Sequence, residues 1–136
     1  MTRIARFTYE QTPVGVPMPY IPVQLETGSI AIQVKALVDT GAMVNVFPNQ
    51  VGKALKLNWD EGEPIQLGGN LGKAQARAFT ISCTIPGLNP VKMEFNWSLL
   101  EGIPVILGQL DFFAQFDVCI SYSENEISIR PRRGTA

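Results

Sequence analysis

An all-β chain with one or two short helices is the fold class that the sequence predicts, on three observations. Apolar and polar residues alternate with period two along most of the chain, helical periodicity is scarce, and Gly and Pro are frequent at 12 and 10 residues. Alternation of that period buries one face of each strand and wets the other, while Gly and Pro supply corners between short strands. At 136 residues and 46% apolar content, the chain can fill one core but not two. A single domain over residues 1–136, with its core at about 20–130, is expected.

The elements follow in order. Residues 1–8 and 131–136 are expected to be loose ends. Ile21, Val23 and Leu25 alternate with Pro22, Gln24 and Glu26, Thr27-Gly28-Ser29 turns the chain, and Ile30, Ile32 and Val34 resume opposite Gln33 and Lys35. That pattern is a hairpin. After Pro48, Val51 and Leu55 stand four apart and predict a short helix from Asn49 to Leu57. Phe79, Ile81, Cys83 and Ile85 form one strand and Val91, Met93, Phe95, Trp97 and Leu99 the next, joined by Pro86-Gly87-Leu88-Asn89-Pro90. Trp59 and Trp97 are expected in the core or an interface. A further apolar strand, Ile103 to Leu107, stops at Gly108, and Asp111 to Phe116 reads as a second short helix whose first turn Asp111 can cap.

Composition narrows the chemistry. With 11 Lys+Arg against 12 Asp+Glu, the chain has no general pull toward nucleic acid or an anionic membrane, and neither is expected as a partner. Arg130, Arg132 and Arg133 read as a solvated tail. No apolar run has the length of a signal peptide or a membrane span, so a cytoplasmic location is expected. Cys83 and Cys119 lack disulfide-framework or C-x-x-C spacing and are expected to be buried. The chain has no His, which excludes Ser-His-Asp and Cys-His nucleophiles and His-ligated zinc. Gly68 to Lys73 falls one residue short of a phosphate-binding loop, and Ala74 stands where that motif needs Ser or Thr. Asp60-Glu61-Gly62-Glu63 lacks EF-hand spacing and reads as a surface turn. No cofactor and no metal are expected, and the available chemistry is that of carboxylates.

One carboxylate stands out. The apolar run Val34 to Val38 leads directly into Asp39-Thr40-Gly41-Ala42, so an acid sits where a strand opens into a turn. The glycine-rich tip Gly68-Gly69-Asn70-Leu71-Gly72 begins 29 residues later, and Ile106-Leu107-Gly108 ends 69 residues after Asp39. A Gly at 108 lets another backbone pass close by. In this order the three features resemble the single-domain retropepsin-like aspartic peptidases over roughly residues 20–130. The resemblance implies a closed acid-protease barrel, one lobe per chain, with Asp39 as the catalytic aspartate. Thr40, Gly41 and Ala42 would support the active-site loop, Thr40 by hydrogen-bonding across a two-fold axis. Gly68, Gly69, Asn70, Leu71 and Gly72 would form the flap, with Leu71 at its tip, and Ile106, Leu107 and Gly108 the strand behind the site. Met43 and Asn45 occupy positions where such families vary, and the Gly68-to-Gly72 spacing differs from the retroviral flap.

Carboxylate-driven peptide hydrolysis needs two acids around one water, one ionised to take its proton and one protonated to polarise the carbonyl. Like charges a few ångströms apart cannot both ionise. No second Asp-Thr-Gly or Asp-Ser-Gly occurs, since Asp60, Asp111 and Asp117 precede Glu, Phe and Val. The partner acid must therefore be Asp39 of another copy, which makes the expected enzyme a symmetric homodimer acting on an extended polypeptide. By the resemblance, the end strands around Phe7–Tyr9 and Ile127–Ile129 would join its interface. Ala42 cannot donate the side-chain hydrogen bond that Ser or Thr would give a charged aspartate, which predicts a pH optimum nearer neutrality. The alternative is a silent dimer of the same fold that binds peptides or dimerises without cutting.

Overall fold

The computed structural model describes residues 3–67 and 75–133. Its strands are β1 (Ala5–Thr8), β2 (Glu10–Gln11), β3 (Pro17–Met18), β4 (Tyr20–Thr27), β5 (Ile30–Val38), β6 (Val46–Phe47), β7 (Glu63–Gln66), β8 (Gln75–Thr84), β9 (Val91–Ser98), β10 (Val105–Leu107), β11 (Phe116–Ser121) and β12 (Glu126–Pro131). The predicted all-β class holds. Strands β4, β5, β10, β6, β9 and β8 are hydrogen-bonded in that order, and a β4–β8 pairing closes them into a barrel. Strand β7 flanks β8 outside the ring, β2 pairs with β3, and β1, β12 and β11 make a separate three-stranded sheet.

Both predicted hairpins form. β4 and β5 pair from Tyr20↔Leu37 to Thr27↔Ile30, and Gly28 turns the corner at φ 56°, a region open to glycine without steric cost. β8 and β9 pair from Ala76↔Ser98 to Cys83↔Val91. Inside the barrel Ile21, Val23, Leu25, Ile81, Cys83 and Phe95 are at most 1% exposed, and Phe47 stacks on Phe95 at 5.6 Å. Each fully buried side chain of this size contributes about 1.5–3 kcal/mol of transfer free energy. Helix α1 (Asn49–Ala54) closes one end, burying Val51 with Leu55 just beyond it. A Cβ on Gly52 would lie 2.2 Å from Trp97, so only Gly lets α1 rest on that indole, whose Nε1 donates to Asn49 Oδ1. Trp97 is buried, and half-buried Trp59 packs edge-on against it.

Several expectations need correction. The second helix is a π-helical turn, Gln109–Phe113, that starts two residues early behind Gly108, and Asp111 does not cap it. Residues 5–8 are not loose: β1 pairs with β12, and Ala5 and Tyr9 are buried in the core. Ile127 and Ile129 are fully buried within the chain. The β1–β12 pairing spans nearly the whole sequence, a separation that local periodicity does not register. Arg130 belongs to β12 and pairs with Asp117, while Arg132 Nη1 donates to Ala114 O. Cys83 is buried but Cys119 is exposed, because β11 turns that side chain outward at a sheet edge. β9 stops at Ser98, leaving Leu99 54% exposed, and Asn96 and Ser98, on its nominally wet face, are buried.

Candidate active site

Asp39 sits at the mouth of two parallel strands. β10 runs beside β5 in the register Val105↔Ala36, Ile106↔Leu37 and Leu107↔Val38, and Asp39 N continues the ladder by donating to Leu107 O at 3.1 Å. Beyond Asp39 the chain turns tightly. Gly41 N donates to Asp39 Oδ1 at 2.9 Å, and Ala42 N donates to Asp39 O at 3.2 Å. The turn leaves Asp39 and Ala42 half-buried and Thr40 and Gly41 exposed.

The π-helical turn holds this loop from beneath. Gln109 N donates to Ala42 O at 2.9 Å, Leu110 N to Met43 O at 2.8 Å, and Gln109 Nε2 to Thr40 O at 2.9 Å. Contact is closest at Gly108, where an added Cβ would lie 2.6 Å from Val44 O. The structure thus brings Asp39, Thr40, Gly41 and Ala42 together with Ile106, Leu107 and Gly108. Gly68, Gly69, Asn70, Leu71 and Gly72 lie outside the described residues, but the arms on either side, β7 and β8, pair up to Gln66↔Gln75.

Three residues of this neighbourhood were given no role at the site by the sequence reading. Asn45 is fully buried, Asn96 is 1% exposed, and the half-buried Asp111 accepts from Asn45 N. The available signal was a lone amide inside the apolar run Val44-Asn45-Val46-Phe47, since a buried polar group in such a run needs partners from elsewhere. Beside the loop, Val46, Leu67, Ala76 and Ile106 form a small aliphatic cluster flanked by Ala42, Val44, Ile65 and Ile103. A cavity lined by Pro64, Ile65, Gln66, Gln75, Ala76 and Arg77 adjoins it. Met43 and Leu110, also beside the loop, are 69% and 64% exposed.

Among the described residues no second acid is seen paired with Asp39. Asp111 is engaged with Asn45 N, Asp117 pairs with Arg130, and Asp60 lies on a 3-10 turn after Asn58. Among the described residues no cluster of His, Cys, Asp and Glu could hold a metal ion, and no helix is long and apolar enough to cross a membrane.

No family model and no curated protein matches the sequence. Solved structures do match. A retropepsin-like aspartic protease from Rickettsia conorii is similar at TM-score 0.69 and 18% identity, over 96% of this chain and 94% of that one. EIAV protease in complex with an inhibitor is similar at TM-score 0.52 and 21% identity, over 67% and 81% of the two chains. The retroviral protease-like domain of Ddi1 from Leishmania major gives TM-score 0.59 at 16% identity, over 88% and 99%. These likenesses show the fold, which is that of a retropepsin-like aspartic protease.

Proposed function

From that fold we propose that the protein is an aspartic endopeptidase, active as a symmetric homodimer in which the Asp39 of each chain meets its mate around one water. The observation that carries this reading is an acid at the end of β5, on a loop hydrogen-bonded to β10 and the π-helical turn, with the other aspartates, all among the described residues, engaged elsewhere. A solitary carboxylate cannot both take the proton of water and polarise the carbonyl, whereas a pair related by a two-fold axis can.

In the proposed reaction the ionised Asp39 takes a proton from the shared water as its oxygen attacks the peptide carbonyl. The protonated Asp39 of the second copy hydrogen-bonds the carbonyl oxygen. Collapse of the tetrahedral intermediate breaks the C–N bond, and a carboxyl proton passes to the leaving amine. Thr40, Gly41 and Ala42 hold the loop, Ile106, Leu107 and Gly108 back it, and Gly68 to Gly72 cover an extended polypeptide. The half-buried Ala42, Val44, Ile65 and Ile103, packed on the cluster around Val46 and Ile106, supply apolar walls for its side chains. The exposed Met43 and Leu110 beside the loop suit a face that a second copy covers.

The test is cleavage of a mixed peptide library by wild type and Asp39→Asn across about pH 3 to 8, with dimer mass measured on the same samples. The expected outcome is cleavage by wild type and a loss of about a thousandfold or more in the variant while the dimer persists. A well-folded wild-type dimer that cuts nothing would transfer the assignment to a peptide-binding module. Cleavage surviving in the variant would place the active site elsewhere.

A further inference from the structure

Asn45 lies where the loop leaving Asp39 becomes β6, and it is 0% exposed. Its side-chain Oδ1 accepts from Gly108 N at 2.8 Å, and its Nδ2 donates to Glu94 O at 3.2 Å. Its backbone N donates to Asp111 Oδ2 at 3.1 Å, and its backbone O accepts from Asn96 N at 3.0 Å and Asn96 Nδ2 at 2.9 Å. One residue therefore joins β9, the end of β10 and the π-helical turn. Removing a partner from such a buried set leaves donors and acceptors with no water to replace it.

The geometry has a consequence for the loop between residues 39 and 45. One end is held by the bond from Asp39 N to Leu107 O, and the other by Asn45 on Gly108 and Asp111. Between them, Ala42 O and Met43 O accept from Gln109 N and Leu110 N. The loop thus lies in one register along residues 107–111, and Asn45 with Asp111 closes that register at the end remote from the acid. Asp111 suits the task because its carboxylate stands in the π-helical turn itself, so the turn and the loop are held by one side chain.

We propose that Asn45 and Asp111 are positioning residues that set the height of the Asp39 loop over the π-helical turn, and so the separation at which two Asp39 carboxylates meet. The inference rests on the peptidase reading, because it concerns the placement of that reading's acid. Placement matters steeply: a misplacement of about 1 Å costs about a hundredfold in rate. Asn45 is 0% exposed and the Asp111 carboxylate is engaged with Asn45 N, so loosening the register is expected to lower turnover rather than affinity.

The experiment compares wild type, Asp111→Ala and Asp111→Asn, since Asn45→Leu strands a buried Gly108 N–H and can simply fail to fold. kcat and KM are measured per site counted with a tight-binding hydroxyl-containing peptide that mimics the tetrahedral intermediate. Amide hydrogen exchange at Gly41 and Ala42 is followed in the same proteins. Asp111→Ala is expected to lower kcat by about ten- to a hundredfold, with KM within about threefold, and to speed exchange at both amides. Asp111→Asn, which keeps an oxygen for Asn45 N, is expected to restore kcat to within about threefold of wild type.

Asp111→Ala with a lower melting temperature but unchanged kcat per counted site would overturn the proposal, leaving a purely structural contact. Failure of Asp111→Asn to restore kcat would overturn it as well. Should wild type cut nothing, the peptidase reading falls on its own, and the exchange data still decide the loop. Faster exchange at Gly41 and Ala42 in Asp111→Ala supports the positioning, and unchanged exchange overturns it.

Discussion

Asp111 is held between two opposed influences. Burial raises its pKa above the ordinary carboxylate value, and the hydrogen bond from Asn45 N lowers it, with burial the larger. A carboxyl whose folded pKa is raised binds its proton more tightly in the fold than in the unfolded chain. Its contribution to stability is complete below the unfolded pKa and is lost as pH rises through the folded one. Asp111→Asn removes that dependence, so its stability relative to wild type should rise as pH climbs from the unfolded carboxylate value through the raised folded one, and then level off. Urea midpoints of both proteins over that range measure it, and a flat difference, or one of opposite slope, would contradict the account. The two cysteines differ as sharply. Burial pushes the Cys83 thiol up to about 12 and keeps it 1% exposed, whereas Cys119 faces solvent. A thiol-disulfide reagent at mildly alkaline pH should therefore react quickly with Cys119 alone, and with Cys83 only after denaturation. Rapid reaction of both in the folded protein would contradict the burial of Cys83.

At the scale of elements, the close approach of β10 to the Asp39 loop depends on one missing side chain. Gly108→Ala would set a Cβ 2.6 Å from Val44 O and 2.8 Å from Val44 N. Both contacts are with backbone, flanked by Met43 O and Asn45 N that are themselves hydrogen-bonded to the π-helical turn, so the overlap cannot be relieved by a rotamer change. A destabilisation of about 1–3 kcal/mol is expected, read as a lower denaturant midpoint, and a variant as stable as wild type would show that the loop and β10 can separate freely. The π-helical turn that follows shows where element-level reading of the sequence stops. Gly108 O accepts from both Phe112 N and Phe113 N, so the turn takes one residue more than an α-helical one. A short apolar stretch after a polar residue predicts a helix without specifying that extra residue. Asp111 consequently falls inside the turn, where it meets Asn45, and not at the cap.

For the whole molecule, β1–β12–β11 is the sheet with edges that the proposed dimer can use. The end strands expected at an interface pair within the chain, which leaves β1 and β11 as its open edges. Open edges invite strand addition from another chain. β11 begins three residues after the turn that carries Gln109 against Thr40. A two-fold pairing of β11 with its mate would bring the two exposed Cys119 side chains near the axis. Mild oxidation should then trap a disulfide-linked dimer that Cys119→Ser does not form, and a dimer that resists such trapping would point to the β1 edge. Period-two burial, turn chemistry and residue counts are local properties, so the barrel's hairpins, the acid after Val38, the glycine at 108 and the lack of a second Asp-Thr-Gly or Asp-Ser-Gly were legible in the sequence. The tertiary structure alone decided that β1 joins β12, that Cys119 faces outward and that Asn45 and Asp111 meet. Those depend on contacts between residues as distant as the 66 positions separating Asn45 from Asp111, and no local pattern encodes which buried polar groups will find each other.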